Sequence, residues 1–398
     1  MSNLKKNAII YLLSDLFSRG LPFLLTPYLF RSLGSSDFAN LSLQLAFIAT
    51  TQVLITYGGE KLIVRYFFRY SRDGVLRLMF LLLKVNFTIT IITFLLLNIF
   101  SEQEYIIALL CSLTFSVLGL FASLQNCKGR GLSTSLIKLV PIVISTIITI
   151  LCFEFYQATY TIRIQMILIS NCIVMLFCFS FFKKNIQRRR LLWEKKMNKF
   201  IIFGGGSFLI TNFTFVMKGQ VDRFFIYEKF GADLLSVYAL AYQYAGVISV
   251  VSLALSRALM PTLQTQIKSK KIEQKHSLLV LLVTALLSVI VFIFFYYLPN
   301  SVYTFIFGES VTDFGFILSI FSVSNILTLC YIIPSNILVH KGLTARLASY
   351  NWLSIALYFS LVYLFSFYGI RYIPFAMLLS NLFLSVIYCF DKVIYEKY

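Results

Sequence analysis

The sequence predicts an all-α integral membrane protein of about twelve transmembrane helices, and three observations predict it. Of its 398 residues, 59% are hydrophobic and only 13% charged, about half the charged share of a soluble domain. Runs of about 20 mostly apolar residues, the length that crosses a bilayer as a helix, recur from end to end and leave no room for a sizeable soluble domain. The connections between these runs alternate between basic and acidic, the pattern of loops on opposite sides of a membrane.

In chain order the spans fall near 8–30, 38–57, 76–99, 104–126, 133–153, 160–182, 200–222, 234–258, 277–298, 313–338, 346–367 and 371–390. The first follows the short stretch Met1–Lys6 with no small-residue cleavage site, so it reads as a retained helix rather than a signal peptide. Pro22 and Pro27 lie within it, each removing a backbone hydrogen bond. With Gly20 beside them, Gly20, Pro22 and Pro27 form a candidate hinge. Pro141, Pro334 and Pro374 loosen later spans. Gly204-Gly205-Gly206 opens the seventh span, where close packing fits better than phosphate binding because no P-loop lysine follows.

Alternate connections hold Lys5 and Lys6, then Lys61, Arg65, Arg69, Arg72 and Arg77, then Lys128, Arg130 and Lys138. After them come Lys183–Lys199, Lys268–Lys275, Lys341 with Arg346, and Lys392 with Lys397. The intervening ones hold Glu102 and Glu104, Glu154, Glu228 and Asp233, and Glu309 and Asp313. The positive-inside rule places the basic set, and with it both termini, in the cytoplasm. The net charge of +19 is then accounted for without a nucleic-acid partner. The seven cysteines (111, 127, 152, 172, 178, 330, 389) fall in or beside apolar runs without paired spacing and read as small hydrophobes. His276 and His340 lie beside basic loops, and no metal site can be assembled around them.

The longest basic stretch, Lys183 to Lys199, falls almost at the midpoint. It divides the chain into two six-helix bundles, 1–199 including that linker and 200–398. Because each half contains an even number of spans, both enter the membrane in the same orientation, as a parallel pseudo-repeat. Leu33-Gly34-Ser-Ser-Asp37-Phe after the first span corresponds in placement to Phe230-Gly231-Ala-Asp233-Leu after the seventh. Gly34 and Gly231 are 197 residues apart, close to half the chain.

Three cations stand inside apolar spans: Arg19, Lys84 and Lys218. A charge at the centre of a spanning helix costs roughly 2.5–3.5 kcal/mol on insertion scales, so such residues face a partner or a wet cavity. Asp15 precedes Arg19 by four residues and Asp222 follows Lys218 by four, a spacing that puts each pair on one helix face. Two readings stand: structural ion pairs, or two faces lining one mainly cationic cavity. Lys84 either joins that cavity or snorkels to the cytoplasmic interface. Arg65 is a further cavity candidate or simply a positive-inside residue; Arg31, Arg223 and Arg371 read as interfacial anchors. No catalytic set, nucleotide site or large outer loop is present, so the protein reads as a non-enzyme that would be driven by an ion gradient, membrane potential or substrate supply.

The stretch Leu24-Leu-Thr-Pro27-Tyr-Leu-Phe-Arg31-Ser-Leu-Gly34-Ser-Ser-Asp37-Phe resembles the end of the first helix in Wzx-type O-antigen and polysaccharide flippases. These belong to the MOP superfamily, which also holds the MATE extruders. Asp222-Arg223-Phe-Phe-Ile, Phe230-Gly231-Ala and Val237-Tyr238-Ala-Leu-Ala-Tyr242 are similar to the segment opening that family's second half, and Arg65 and Pro261 match in place. The resemblance implies a MATE-like fold in the bacterial cytoplasmic (inner) membrane. It also implies translocation of an undecaprenyl-pyrophosphate-linked oligosaccharide, an O-antigen or capsule repeat unit, by alternating access. Arg19, Lys218, Lys84 and Arg65 would then meet the pyrophosphate, and Asp15 and Asp222 would gate or bind a coupling ion, H+ or Na+, with no other cofactor. The polymerase and chain-length proteins of the same pathway are the implied protein partners. The alternatives are an ion-coupled small-molecule extruder of the MATE kind and a membrane-embedded sugar polymerase.

Overall fold

The structure is a computed structural model. It describes residues 2–69, 74–183, 198, 200–269, 272–308, 313–341 and 343–395; within these, the side chains of 2–16, 19, 69, 181–183, 203, 207, 211, 215, 253–262, 264, 265, 268 and 344 are not described. Helices and their connecting turns account for the described chain, with no strand among those residues. That is the expected outcome for an apolar sequence in lipid, where a helix satisfies every backbone polar group within its own segment.

The helices are α1 (Ser2–Thr56), α2 (Gly59–Arg69), α3 (Val75–Ile99), α4 (Ile106–Cys127), α5 (Gly131–Phe155), α6 (Tyr160–Lys183), α7 (Gly206–Met217) and α8 (Asp222–Phe230). They continue with α9 (Ala232–Lys268), α10 (Gln274–Tyr296), α11 (Asn300–Phe307), α12 (Phe314–Leu327), α13 (Ile332–His340), α14 (Thr344–Phe365), α15 (Ile373–Phe390) and α16 (Lys392–Tyr395). Among the described residues, ten helical stretches are long and apolar enough to cross a membrane. Two features account for the difference from the twelve spans read in the sequence. The first two spans run into one another as a single helical stretch. The seventh is divided into a π-helical turn at Ile201–Gly205, α7 and α8, each too short to count alone.

Inside α1 the only non-helical backbone is at Gly34, with φ 71° and ψ 178°; Gly20, Pro22 and Pro27 lie within the helical path. Gly231, between α8 and α9, has φ 84° and ψ 178°. The two glycines aligned across the halves thus adopt the same backbone, one that L side chains rarely accept. This likeness supports the internal repeat far better than the sparse identity of the flanking residues.

The chain forms two compact units: residues 1–25 with 32–216, and residues 26–31 with 217–398. In the first, α4 is central and packs against α2, α3, α5 and α6. Its apolar core joins Leu62, Leu78, Leu82, Leu120, Phe121 and Leu124. Hydroxyls and amides stitch the helices together: Thr51 and Ser112 oxygens are 2.6 Å apart, Thr56 donates to Ser116 at 3.0 Å, and Asn171 donates to Thr114 at 3.1 Å. Such interhelical bonds do in lipid what apolar burial does in water. The glycines of the seventh span pack closely, as expected: a Cβ on Gly205 would stand 2.6 Å from the Tyr57 ring and one on Gly204 2.9 Å from Leu62.

In the second unit α12 is central, against α9, α10 and α15, and α14 pairs with α15. The piece of α1 in this unit is tied in by Gln243 donating to Thr26 at 2.5 Å, by the Arg31 guanidinium donating to the Phe305 carbonyl, and by edge-to-face packing of Phe30 on Phe307 at 5.9 Å. Arg31 therefore binds backbone of its own unit. On α10, Leu279, Leu282, Leu286 and Ile290 are all at least 60% exposed, as side chains facing lipid are.

Candidate functional site

The site is built where the seventh span breaks. Lys218-Gly219-Gln220-Val221 forms a turn between α7 and α8, made possible by Gly219 at φ +78°. A side chain there would also run into the Tyr242 ring. Asp222 opens α8, placing its carboxylate in the first turn, where the helix dipole favours negative charge.

The break separates Lys218 from Asp222. The four-residue spacing read in the sequence would pair them only on a continuous helix, and here no ion pair links them. The Lys218 ammonium instead donates to Ser354 Oγ at 2.7 Å on α14 and to Asn381 Oδ1 at 3.0 Å on α15. Asn381 is itself fixed, its Nδ2 donating to Ser324 Oγ at 2.9 Å on α12, while Ser354 donates to the Ser380 carbonyl at 2.9 Å. Ser354 and Asn381 lie near the middle of the spans Ala345–Phe365 and Ile370–Phe390, so this positive charge sits near mid-membrane. Among the described residues its partners are neutral.

Asp222 is 1% exposed. Its Oδ2 accepts hydrogen bonds from the Tyr238 hydroxyl and, at 2.5 Å, from Tyr358; its buried Oδ1 has no hydrogen-bond partner. Next to it, Arg223 is also buried, its Nε donating to the Gly219 carbonyl at 3.1 Å and its guanidinium 5.3 Å from the Tyr242 ring. Tyr242 in turn donates to the Lys218 carbonyl at 3.4 Å. Arg223 is therefore not an interfacial anchor but part of the wall behind the turn. Tyr238 and Tyr242 both pack edge-on against Phe321.

Ser324, Ser354, Tyr358 and Asn381 escaped the sequence reading because small polar residues and tyrosines are common throughout these spans. A polar residue at the centre of an otherwise apolar run was the available signal. Tyr238 and Tyr242 were legible only as part of the family-like segment.

The other expected residues fall elsewhere. Asp15 and Arg19 lie on α1, and their side chains are outside the described ones. Lys84 and Arg65 are exposed residues of the first unit, Arg65 lying 5.8 Å from the Phe200 ring. That unit also holds two further cations with polar partners: Arg163, which the sequence reading passed over, and Lys61, read there only as a loop cation. Arg163, buried in α6, donates from Nη1 to Thr149 at 2.8 Å and to the Ser145 carbonyl at 3.1 Å, and Lys61 donates to Asn212 at 2.7 Å. Arg371 pairs with Asp313 at 3.5 Å and stacks on Phe316 at 4.4 Å, in keeping with an anchoring role. Among the described residues, no three His, Cys, Asp or Glu side chains are grouped to hold a metal.

Residues 4–267 match the family described as polysaccharide biosynthesis protein. The chain belongs to that family. A protein of the Lsg locus of Haemophilus influenzae is 30% identical over 95% of both chains, and a membrane protein of the same organism is 29% identical over 99% of this chain and 98% of its own. Among solved structures, a multidrug resistance MATE family transporter of the MOP superfamily, in its inward-facing conformation, superposes with TM-score 0.73. It covers 96% of each chain at 14% identity, a likeness of fold. This member of the polysaccharide biosynthesis family is thus a multi-pass membrane protein whose fold is similar to that of a MATE transporter.

Proposed function

We propose that the protein is a flippase that moves an undecaprenyl-pyrophosphate-linked oligosaccharide, an O-antigen or capsule repeat unit, across the bacterial cytoplasmic membrane by alternating access. The observation that carries this reading is the Lys218 ammonium near mid-membrane, held by Ser354 and Asn381, with no carboxylate within ion-pair distance among the described residues. An ammonium has three N–H donors. Two are engaged, and the third can meet an incoming phosphate oxygen in a charge-assisted bond. A pyrophosphate crossing hydrocarbon needs such an offset for its lost hydration. An extruder of organic cations would instead need negative charge where Lys218 stands. Arg19, Lys84 and Arg65 are proposed as further cations along the route, Asp15 as a second gating or ion-coupling residue, and Gly20, Pro22 and Pro27 as a hinge. The polymerase and chain-length proteins of the pathway are the proposed partners.

Asp222 is proposed as the coupling or gating residue. Its unpartnered Oδ1 is an acceptor without a donor, a position that a proton or a sodium ion would complete.

Flipping of a lipid-linked oligosaccharide in proteoliposomes tests the reading directly. Movement of the pyrophosphate lipid, with no accumulation of organic cations, is the expected result. Cation export from the same vesicles with a stationary lipid would favour the extruder, and chain lengthening of the glycan would favour the polymerase.

A further inference from the structure

The first unit contains a cavity of about 300 Å³ between α4, α5 and α6, lined by Gln125, Ser133, Leu136, Ile137, Val140, Val174, Phe177 and Cys178. That volume is at the lower end of the range for small-molecule pockets. Its lining is graded. Gln125 and Ser133 lie three residues from either side of the α4–α5 turn, Lys128–Arg130. Val140 and Val174 lie nine residues in from the near ends of α5 and α6, and Val140 is about 10 Å deeper than Ser133 at helical rise. The polar end is therefore at the membrane surface and the apolar end is inside. Leu136 and Phe177, at 49% and 73% exposed, put the opening on the lipid-facing wall.

Two further features mark the polar end. Gln125 is 6% exposed, and its Oε1 has no hydrogen-bond partner. Directly above it the turn Lys128-Gly129-Arg130 is fixed by Gly129 at φ +70° and by the Arg130 amide donating to the Gln125 carbonyl at 3.1 Å. This sets two exposed cations in the turn beside the polar end. Partial burial and the neighbouring charge of Arg130 hold the Lys128 ammonium below its usual range, an arrangement that a nearby anion relieves. We propose that this cavity binds an anionic phospholipid of the surrounding leaflet, with its phosphate at Lys128 and Arg130, its glycerol region at Gln125 and Ser133, and one acyl chain between α5 and α6. Basic pockets between spanning helices suit such headgroups. The proposal does not depend on what the protein transports.

The purified full-length chain, stripped of lipid in detergent, is titrated with dioleoylphosphatidylglycerol and separately with dioleoylphosphatidylethanolamine, and bound lipid is counted by native mass spectrometry. Preferential retention of the anionic lipid is expected. Lys128→Ala with Arg130→Ala should weaken it roughly thirtyfold, from the usual contribution of two basic residues near an anionic headgroup. Val140→Trp, filling the cavity, should weaken it more than tenfold. Cys178 is a free thiol in the lining, so phosphatidylglycerol should also slow its alkylation by N-ethylmaleimide in the unaltered chain. This measurement needs no variant to fold. Equal retention of both lipids, unchanged Cys178 alkylation, or protection of Cys178 by polyprenyl phosphate but not by phosphatidylglycerol would overturn the assignment.

Discussion

Replacing Lys218 with Met separates a transport charge from a structural one. Met keeps the length of the stem and removes the ammonium. The folded protein would lose two hydrogen bonds to a charged group, those to Ser354 and Asn381, worth about 1.5–3 kcal/mol each. Against that loss, the chain no longer holds a cation in mid-membrane, which returns roughly 2.5–3.5 kcal/mol. Ser354 keeps its bond to the Ser380 carbonyl and Asn381 its bond to Ser324, so only Asn381 Oδ1 loses its sole donor. The two sides partly cancel, and the variant should be about 1.5 kcal/mol less stable, and about 3.5 kcal/mol at most. Transport should behave differently. Removing one partner of a desolvated, hydrogen-bonded charge pair costs about 2–5 kcal/mol, or at least about thirtyfold in rate at 1.36 kcal/mol per decade. The assay combines surface polysaccharide in a strain lacking the protein, membrane abundance by immunoblot, and thermal unfolding in detergent. Lys218→Arg serves as the charge-preserving control. Normal abundance and melting with lost export supports an anion-meeting role. Undiminished export would refute it, and a collapse of stability would show that Lys218 is structural.

Three further outcomes follow from the same geometry. Gly219→Ala should cost more than the roughly 1–2 kcal/mol of a strained left-handed backbone, because its Cβ would displace Tyr242. Gly231→Ala should cost only the backbone strain, since no atom lies within 4 Å of a Cβ there; thermal melts of the two variants test the contrast. Tyr358→Phe and Tyr238→Phe should each destabilise by about 1–3 kcal/mol by taking a donor from buried Asp222. The double variant should lose more than the sum, which a double-mutant cycle reads as coupling. Gly205→Val should disturb the contact with Tyr57 and lower thermal stability, whereas Gly20→Ala should not, because a Cβ at Gly20 meets nothing within 4 Å.

The membrane class and the internal repeat were legible because both are written in long patterns. An apolar run of spanning length has few fates in lipid, and the alignment of Gly34 with Gly231 required only that two helix ends share one backbone. The breaks were harder to read. Nothing in an apolar window distinguishes a glycine that lines a helix contact from one at positive φ, so Gly219 passed as an ordinary helical residue. The Lys218–Asp222 pair inferred across it dissolved for that reason. The division at Ile201–Gly205 and Lys218–Val221 likewise hid the seventh span as three short pieces. The first two spans merged because the kink at Gly34 leaves helical backbone on either side.

The separation of Lys218 from Asp222 removes the ion pair that the spacing offered between these two residues. A structural ion pair neutralises its own insertion cost and leaves nothing to offer a ligand. Here each charge is stabilised separately: the ammonium by neutral oxygens on α14 and α15, the carboxylate by two tyrosine hydroxyls on α9 and α14. Neutral partners lower the cost of burying a charge without cancelling its field. When charged, Lys218 would therefore present its field to an approaching anion, and Asp222 its field to an approaching cation, without an ion-pair partner between them. Tyr358 and Ser354 lie four residues apart on α14, one turn of the same helix. Any shift of α14 that accommodates a ligand at Lys218 must then alter the donor to Asp222. Under the proposed function, such a shared helix would give substrate and coupling ion a direct route by which to sense one another. The expected consequence is reciprocal: Tyr358→Phe should change the ion dependence of transport, and Ser354→Ala should change it in parallel with substrate affinity. Vesicle transport assays across a range of pH and sodium concentration would expose an independent response at either residue, and that result would leave α14 without this linking role.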